Sequence, residues 1–93
     1  MPSQMPSQLR GSVGAGGRNI GPDVVLVQTL LARQGQKPGP VDGICGPRTI
    51  AAIRAYQAAF LRSPDGRIDV DGPTWHRLTE GAGLSRAFGH VGG

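Results

Sequence analysis

The 93-residue sequence has one cysteine, few aromatic residues and no long apolar run. The single cysteine, Cys45, excludes an intrachain disulfide, and aromatic residues make up only 4% of the chain. No apolar run approaches the ~20 residues that a membrane helix needs. The first residues are neither basic nor followed by an apolar stretch, so the sequence predicts neither a signal peptide nor membrane insertion. A chain of this length forms one small domain at most.

Acidic residues are also scarce, with six against ten basic ones, and the resulting net charge of +4 first suggests a nucleic-acid ligand. The charge is unevenly distributed, however. Residues 23–80 contain seven basic and six acidic residues, a balance of +1, and the remaining basic residues are Arg10, Arg18 and Arg86. Because the part of the chain able to fold is nearly neutral, we expect no nucleic-acid partner.

Glycine and proline are abundant, and their positions indicate the domain limits. The chain has 16 glycines and 8 prolines, many of them near the two ends. Segments of this composition bury too little apolar surface to offset the entropy of ordering. We therefore expect flexible tails at 1–11 and 83–93, and a folded domain at 12–82.

Apolar residues at helical spacing predict three helices, at about 22–34, 47–62 and 73–80. Each begins at a Gly-Pro pair, where proline loses no hydrogen bond by lacking an N–H. The alanines of the second helix permit close packing, and Trp75 in the third is expected in the core. The predicted fold class is all-α: a small three-helix bundle.

Two segments that precede helices resemble each other. Val41-Asp-Gly-Ile-Cys-Gly-Pro-Arg-Thr leads into the second helix, and Ile68-Asp-Val-Asp-Gly-Pro-Thr-Trp leads into the third. Each runs from an apolar residue through an aspartate and a short turn to Gly-Pro and a threonine. This similarity aligns Asp42 with Asp69 and predicts two pseudo-repeated loop–helix units that share one core.

These residues resemble a known family. Segment 41–57, Val-Asp-Gly-Ile-Cys-Gly-Pro-Arg-Thr-Ile-Ala-Ala-Ile-Arg-Ala-Tyr-Gln, is similar to the central signature of the peptidoglycan-binding-like domains of bacterial and phage cell-wall hydrolases. Val27-Gln28 and Leu30-Leu31 resemble the family's first helix, and 69–78 resembles its closing repeat. The likeness covers roughly 23–80. Cys45 departs from it, since the family usually has a larger apolar residue there, and the closing repeat is shortened.

The resemblance implies non-catalytic binding of cell-wall peptidoglycan. Such a polymer would be bound by arginine on stem-peptide carboxylates, by amides and hydroxyls, and by an aromatic surface on sugar. The candidate ligand-binding residues lie around the junction of the loop and the second helix: Asp42, Arg48, Thr49, Arg54, Tyr56 and Gln57. Each also has a structural alternative, such as a turn aspartate at Asp42 or a core position for Tyr56.

Nothing in the sequence indicates catalysis, a metal or a cofactor. The two histidines, His76 and His90, have no neighbouring serine or cysteine motif, and Cys45 has no recognised zinc-ligand spacing. Cys45 is expected to be a small buried apolar residue. The acidic residues at 65–71 share one loop, where nothing would separate their pKa values as glycoside hydrolysis requires.

Two other classes of function stay open as alternatives. A helix-turn-helix-like DNA binder is less favoured, because the second helix is rich in alanine and the third is short. An interaction adaptor could use the same scaffold, and residues 12–24 resemble segments that precede such domains in proteins associated with bacterial type VI secretion. The expected partners are peptidoglycan and either a cell-wall hydrolase or a secretion-system protein. The expected site of action is the periplasm or cell wall, after signal-independent export from the cytoplasm or as a fragment of a longer protein.

Overall fold

The computed structural model describes residues 9–81, which contain three helices and one pair of short strands. The elements follow the order β1 (Val13–Gly14), α1 (Gly21–Arg33), α2 (Pro47–Gln57), β2 (Arg67–Ile68) and α3 (Pro73–Gly81). The structure confirms the all-α class, since the strands contribute only two residues each.

The helices begin where the Gly-Pro pairs predict. Proline occupies the first turn of α1 and α2, and α3 begins at Pro73. Helix α1 ends in a Schellman motif, in which the N–H groups of Gly35 and Gln36 donate to the carbonyls of Ala32 and Leu31, both at 3.0 Å. Gly35 makes this motif possible because its φ is +86°.

Helix α2 is shorter than predicted. The apolar pattern extends it to residue 62, whereas the helix ends at Gln57 and residues 58–60 form a turn. In this turn the backbone hydrogen bonds span three residues instead of four. The N–H groups of Ala59 and Phe60 donate to the carbonyls of Tyr56 and Gln57 at 3.3 and 3.0 Å. The turn reverses the chain, so that the loop after α2 lies against the Gln57 side chain and forms hydrogen bonds with it.

The core is formed by apolar residues from every element. Trp75 is 2% exposed, which agrees with the core position expected for it. The remaining buried apolar residues are Leu9, Val13, Val24, Val27, Leu30, Leu31, Ala52, Ile53, Ile68 and Leu78. The three helices and the strand pair therefore share one core, as the bundle prediction requires.

The folded domain includes residues 9–11, which precede the predicted limit at residue 12. Leu9 is 3% exposed and belongs to the core cluster. The N–H groups of Arg10 and Gly11 both donate to Oδ2 of Asp23 at 3.0 Å. The glycine-rich surroundings of residues 9–11 predict that they belong to the N-terminal tail, but a buried carboxylate on α1 holds them against the bundle. The remainder of that tail and segment 83–93 lie outside the described residues.

The strands β1 and β2 pair antiparallel, with Val13 opposite Ile68 and Gly14 opposite Arg67. The pattern of the sequence did not predict this pair. It brings the segment before α1 against the loop that leads into α3, so that both loops are fixed to the same part of the bundle.

None of the helices in residues 9–81 combines the length and the apolar character that crossing a bilayer requires.

Candidate functional site

A buried glutamine on α1 holds the loop between α1 and α2. Gln28 is 1% exposed. Its Nε2 donates to Oδ1 of Asp42 (3.2 Å), the carbonyl of Ile44 (3.1 Å) and Oγ1 of Thr49 (3.0 Å). Its Oε1 accepts from the N–H groups of Asp42 and Gly43, both at 3.1 Å. We call Gln28, Asp42, Gly43, Ile44 and Thr49 the first amide cluster.

A second buried glutamine does the same for the loop between α2 and α3. Gln57 is fully buried. Its Nε2 donates to Oδ1 of Asp65 (3.0 Å), the carbonyl of Arg67 (2.9 Å) and Oγ1 of Thr74 (3.1 Å). Its Oε1 accepts from the N–H of Gly66 at 2.8 Å. We call Gln57, Asp65, Gly66, Arg67 and Thr74 the second amide cluster.

The two clusters confirm that the loop–helix unit is repeated, but they correct its alignment. In both units an aspartate Oδ1 accepts from the N–H two residues later, Ile44 after Asp42 and Arg67 after Asp65. The glycine between them has a positive φ in each unit, +80° at Gly43 and +74° at Gly66. Asp42 therefore corresponds to Asp65. The alignment with Asp69 was wrong because it followed the Gly-Pro pairs instead of the Asp-Gly turns.

Two of the six candidate ligand-binding residues lie inside the bundle. Thr49 is 2% exposed, and its hydroxyl donates to the carbonyl of Pro38 at 3.2 Å while accepting from Gln28. Gln57 uses both ends of its amide within the second amide cluster. Both side chains support loops in the structure. Of the other candidates, Asp42, Arg48 and Arg54 are exposed and Tyr56 is half-buried.

Arg48 and Asp42 lie at one open cleft of about 330 Å³, which we call the Arg48 cleft. Its lining residues come from α1, the first loop and the start of α2: Gln28, Pro38, Pro40, Asp42, Ile44, Gly46, Pro47, Arg48 and Thr49. Arg48 is exposed, and its side chain rests on Gly39, where an added Cβ would lie 3.1 Å from Arg48 Cδ. The cleft thus combines a supported guanidinium with an apolar wall of prolines and Ile44.

The start of α2 adds a second positive feature to the Arg48 cleft. Helix α2 begins at Pro47 without a side-chain cap hydrogen bond among the described residues, and its first turn contains no acidic residue. The N-terminal end of a helix carries a partial positive charge and free N–H groups. In α1, by contrast, Asp23 occupies the first turn. Asp42 also lines the cleft, but its Oδ1 already accepts from the Ile44 N–H and the Gln28 amide. Arg48 and the start of α2 therefore make the Arg48 cleft suited to an external anion.

Arg54 lies at a different cleft, on the other side of α2. This cleft measures about 430 Å³ and is lined by Ala15, Cys45, Gly46, Pro47, Ile50, Ala51 and Arg54. Cys45 packs against the core but is only half-buried, so it is more exposed than predicted from the sequence. Burial raises the pKa of its thiol, which disfavours the reactive thiolate.

Tyr56 lies at a third cleft, near the C-terminal ends of α1 and α2. This cleft, the Tyr56 cleft, measures about 420 Å³ and is lined by Gln34, Tyr56, Ala59, Phe60, Arg77 and Glu80.

The structure therefore does not bring the six candidate residues together. It distributes them among three clefts and the interior. Gln28, Ile44 and Pro38 were not among the candidates, although Gln28 could have been found from its match to Gln57 at the same apolar phase.

Acid should weaken both amide clusters. The Ile44 N–H and the Gln28 amide lower the pKa of Asp42, and the Arg67 N–H and the Gln57 amide lower the pKa of Asp65. Since the folded-state pKa values lie below the unfolded ones, their stabilisation is present above about pH 4 and is lost as pH falls through the folded values. We expect the free energy of unfolding, measured in urea, to fall below about pH 4.

The Asp65→Asn variant tests this assignment, because an amide oxygen can accept the same hydrogen bonds without titrating. Its unfolding free energy should change less steeply between pH 4 and pH 2 than that of the wild type. Asp69→Asn is the matched control, since the Asp69 carboxylate pairs with the Arg67 guanidinium at 2.9 Å and lies outside both amide clusters. Equal acid sensitivity of Asp65→Asn and wild type would contradict the prediction.

Within residues 9–81, no group of three or more histidine, cysteine, aspartate or glutamate side chains is arranged to hold a metal ion. His76 contacts the exposed Asp71 carboxylate, with Nε2 to Oδ1 at 2.9 Å. His90 lies outside the described residues.

Comparison with known proteins places these features in a family. The family described as "Putative peptidoglycan binding domain" matches residues 20–76, more than half of the chain. The matched segment contains both amide clusters and the whole Arg48 cleft. A Synechocystis sp. protein named "Putative OxPP cycle protein OpcA" is 56% identical over 34 residues, which cover 37% of this chain and 7% of that protein. No solved structure gives a significant match. With most of its folded part matched, the chain belongs to the family of peptidoglycan binding domains.

Proposed function

We propose that this domain binds peptidoglycan through the Arg48 cleft, where a carboxylate of the stem peptide is the group recognised. The observation that carries the proposal is the coincidence of Arg48 with the uncapped N-terminal end of α2. A guanidinium binds a carboxylate through two parallel hydrogen bonds, and the N–H groups of a helix start stabilise the same charge.

The other walls of the cleft suit the remainder of a peptide. Pro38, Pro40 and Ile44 are apolar, and Ile44 is 68% exposed, so its side chain is accessible to a ligand in the cleft. Short side chains such as those of alanine would bury apolar surface there. Asp42 is occupied by hydrogen bonds from Ile44 and Gln28, so its role is to hold the cleft wall in shape.

Binding of this kind would anchor an attached or associated protein at the cell wall. A tethered module raises the local concentration of its partner at the polymer, and modest affinity is sufficient for this. The partner would be a cell-wall hydrolase or a secreted protein, and the site of action the periplasm or cell wall. The runner-up is an interaction adaptor on the same scaffold.

The Arg48→Ala variant should bind purified sacculi about tenfold more weakly than the wild type in a co-sedimentation assay. A hydrogen bond to a charged group contributes about 1.5–3 kcal/mol, and about 1.4 kcal/mol corresponds to tenfold in affinity. Arg48→Lys should recover only part of the loss, since an ammonium cannot form the two-bond fork.

The control is Arg33→Ala, which removes another arginine, in the last turn of α1, outside the Arg48 cleft. It should bind sacculi as the wild type does. Each variant is measured at low and at high salt, because a DNA-type contact with many phosphates would weaken far more steeply with salt. If folded wild type does not co-sediment with sacculi, wall binding is wrong and the adaptor function is favoured.

A further inference from the structure

The Tyr56 cleft shares no lining residue with the Arg48 cleft. Tyr56 follows Arg48 by eight residues on α2, which corresponds to about 12 Å along the helix. Its walls come from the end of α1, the end of α2 and the second half of α3. The two clefts are therefore separate recognition surfaces on one small domain.

Two aromatic rings form the floor of this cleft. Tyr56 and Phe60 are half-buried, and their rings meet edge to face with centroids 5.5 Å apart. The Arg77 guanidinium lies 4.7 Å from the centroid of the Phe60 ring, a distance at which a cation is attracted to the ring face. This contact holds Arg77 at the cleft in a defined position.

Residues of both charge signs share the cleft with Tyr56. Arg77 and Glu80, which lie three residues apart on α3, both act electrostatically on Tyr56, while burial raises the pKa of the phenol. Gln34, at the end of α1, adds an amide to the same cleft. The cleft thus presents donors from Arg77 and Gln34 and acceptors from Glu80 and Gln34.

This set of groups selects the chemistry of the ligand. Arg77 and Glu80 carry opposite charges, so the cleft offers no net charge to a lone carboxylate or a lone ammonium group. A neutral ligand is therefore preferred over either charged end of a stem peptide. Hydroxyl groups, which both donate and accept hydrogen bonds, match the donors and acceptors of this cleft. Aromatic rings and the Ala59 methyl offer apolar contact for the C–H face of a sugar ring and for an N-acetyl methyl group.

We infer that the Tyr56 cleft is a second binding site, which takes an N-acetylated sugar of the glycan strand. The inference rests on the proposed function, and it extends it: the stem peptide lies at one end of α2 and the glycan at the other. Two weak contacts on one polymer strengthen binding through effective concentration.

The test is a titration of the ¹⁵N-labelled full chain with tri-N-acetylchitotriose, a neutral oligomer of N-acetylglucosamine that lacks the stem peptide. We expect amide shifts at 34, 56–60 and 77–80, and none at 38–49. Arg77→Gln and Glu80→Gln should each weaken oligomer binding about fivefold or more. Arg62→Gln, a change at an exposed arginine outside all three clefts, should bind as the wild type does.

A synthetic stem peptide with a free carboxyl terminus separates this inference from the proposed function. We expect it to shift amides at 38–49, with Arg77→Gln binding it as well as the wild type. If wild type binds sacculi but chitotriose shifts nothing, or shifts only 38–49, the glycan site is wrong while the proposed function stands. If chitotriose shifts the Tyr56 cleft while Arg48→Ala leaves sacculus binding intact, the glycan site is supported and the Arg48 assignment fails.

Discussion

Replacing Gln57 with alanine should lower the free energy of unfolding by about 3–5 kcal/mol, because its amide makes four hydrogen bonds in the core. The substitution leaves the Gly66 N–H and the Thr74 hydroxyl buried without this partner, and each such group costs about 1–3 kcal/mol. A domain of this size has only about 5–10 kcal/mol of stability. The melting temperature should therefore fall by at least about 12 °C, since each 1 kcal/mol corresponds to about 4–8 °C in a domain of this size.

Gln57→Met separates the lost hydrogen bonds from the cavity that alanine leaves, since methionine nearly preserves the volume. We expect methionine to lower the free energy of unfolding almost as much as alanine does. Urea denaturation and calorimetry measure this change. Gln36→Ala, in the loop after α1, is the matched glutamine control and should cost about 0.5 kcal/mol or less. A Gln57→Met protein as stable as the wild type would show that the second amide cluster contributes little.

Gly14→Ala should be comparably damaging, for a steric reason. A Cβ on Gly14 would lie 2.1 Å from the Gly66 carbonyl oxygen and 2.8 Å from Arg67 Cα, both backbone atoms that cannot rotate away. The φ of +122° adds strain for any residue with a side chain. The β1–β2 pair must separate to admit the methyl group, and we expect a loss of about 3 kcal/mol or more.

Alanine variants of two other glycines, measured by denaturant unfolding, separate the cost of the backbone conformation from the cost of the steric clash. Gly16 has a φ of +70° but little around it, so Gly16→Ala should show the backbone cost alone, about 1–2 kcal/mol. Gly21 has no positive φ, and a Cβ added there would have no described atom of another part of the chain within 4 Å. Gly21→Ala should therefore leave the free energy of unfolding nearly unchanged. If Gly14→Ala costs no more than Gly16→Ala, the close approach of β1 to residue 66 is not rigid.

Much of the fold followed from local pattern. Apolar spacing and the Gly-Pro pairs located all three helices, since both signals depend on residues within one or two turns of each other. The end of α2 was predicted five residues too late, because the apolar pattern continues past Gln57 while the hydrogen bonds change to a tight turn. The strand pair was missed, because two-residue strands carry no periodicity and pair across 53–55 residues of sequence.

The six candidate ligand-binding residues are distributed among three clefts and the interior. Arg48 and Arg54 were placed in one group because they are close in sequence. Six residues of helix rotate about 240°, which puts the two arginines on different sides of α2 and at different clefts. The separation of the two arginines can be predicted from helix geometry alone. The burial of Gln57 cannot be predicted in this way, because a polar residue beside an apolar stripe can face either a loop or a ligand.

By itself, the sequence determined the number of helices, where each begins, and the likeness to a peptidoglycan-binding domain, because these depend on residue types at short spacing. Only the tertiary structure decided that Asp65 is the counterpart of Asp42, that Thr49 and Gln57 support loops, and that Arg48 and Tyr56 lie at separate clefts. The physical reason is that a buried amide must be hydrogen-bonded, and its partners are set by tertiary contacts rather than by nearby sequence. For Gln28 those partners lie 14–21 residues along the chain, beyond the reach of any local pattern.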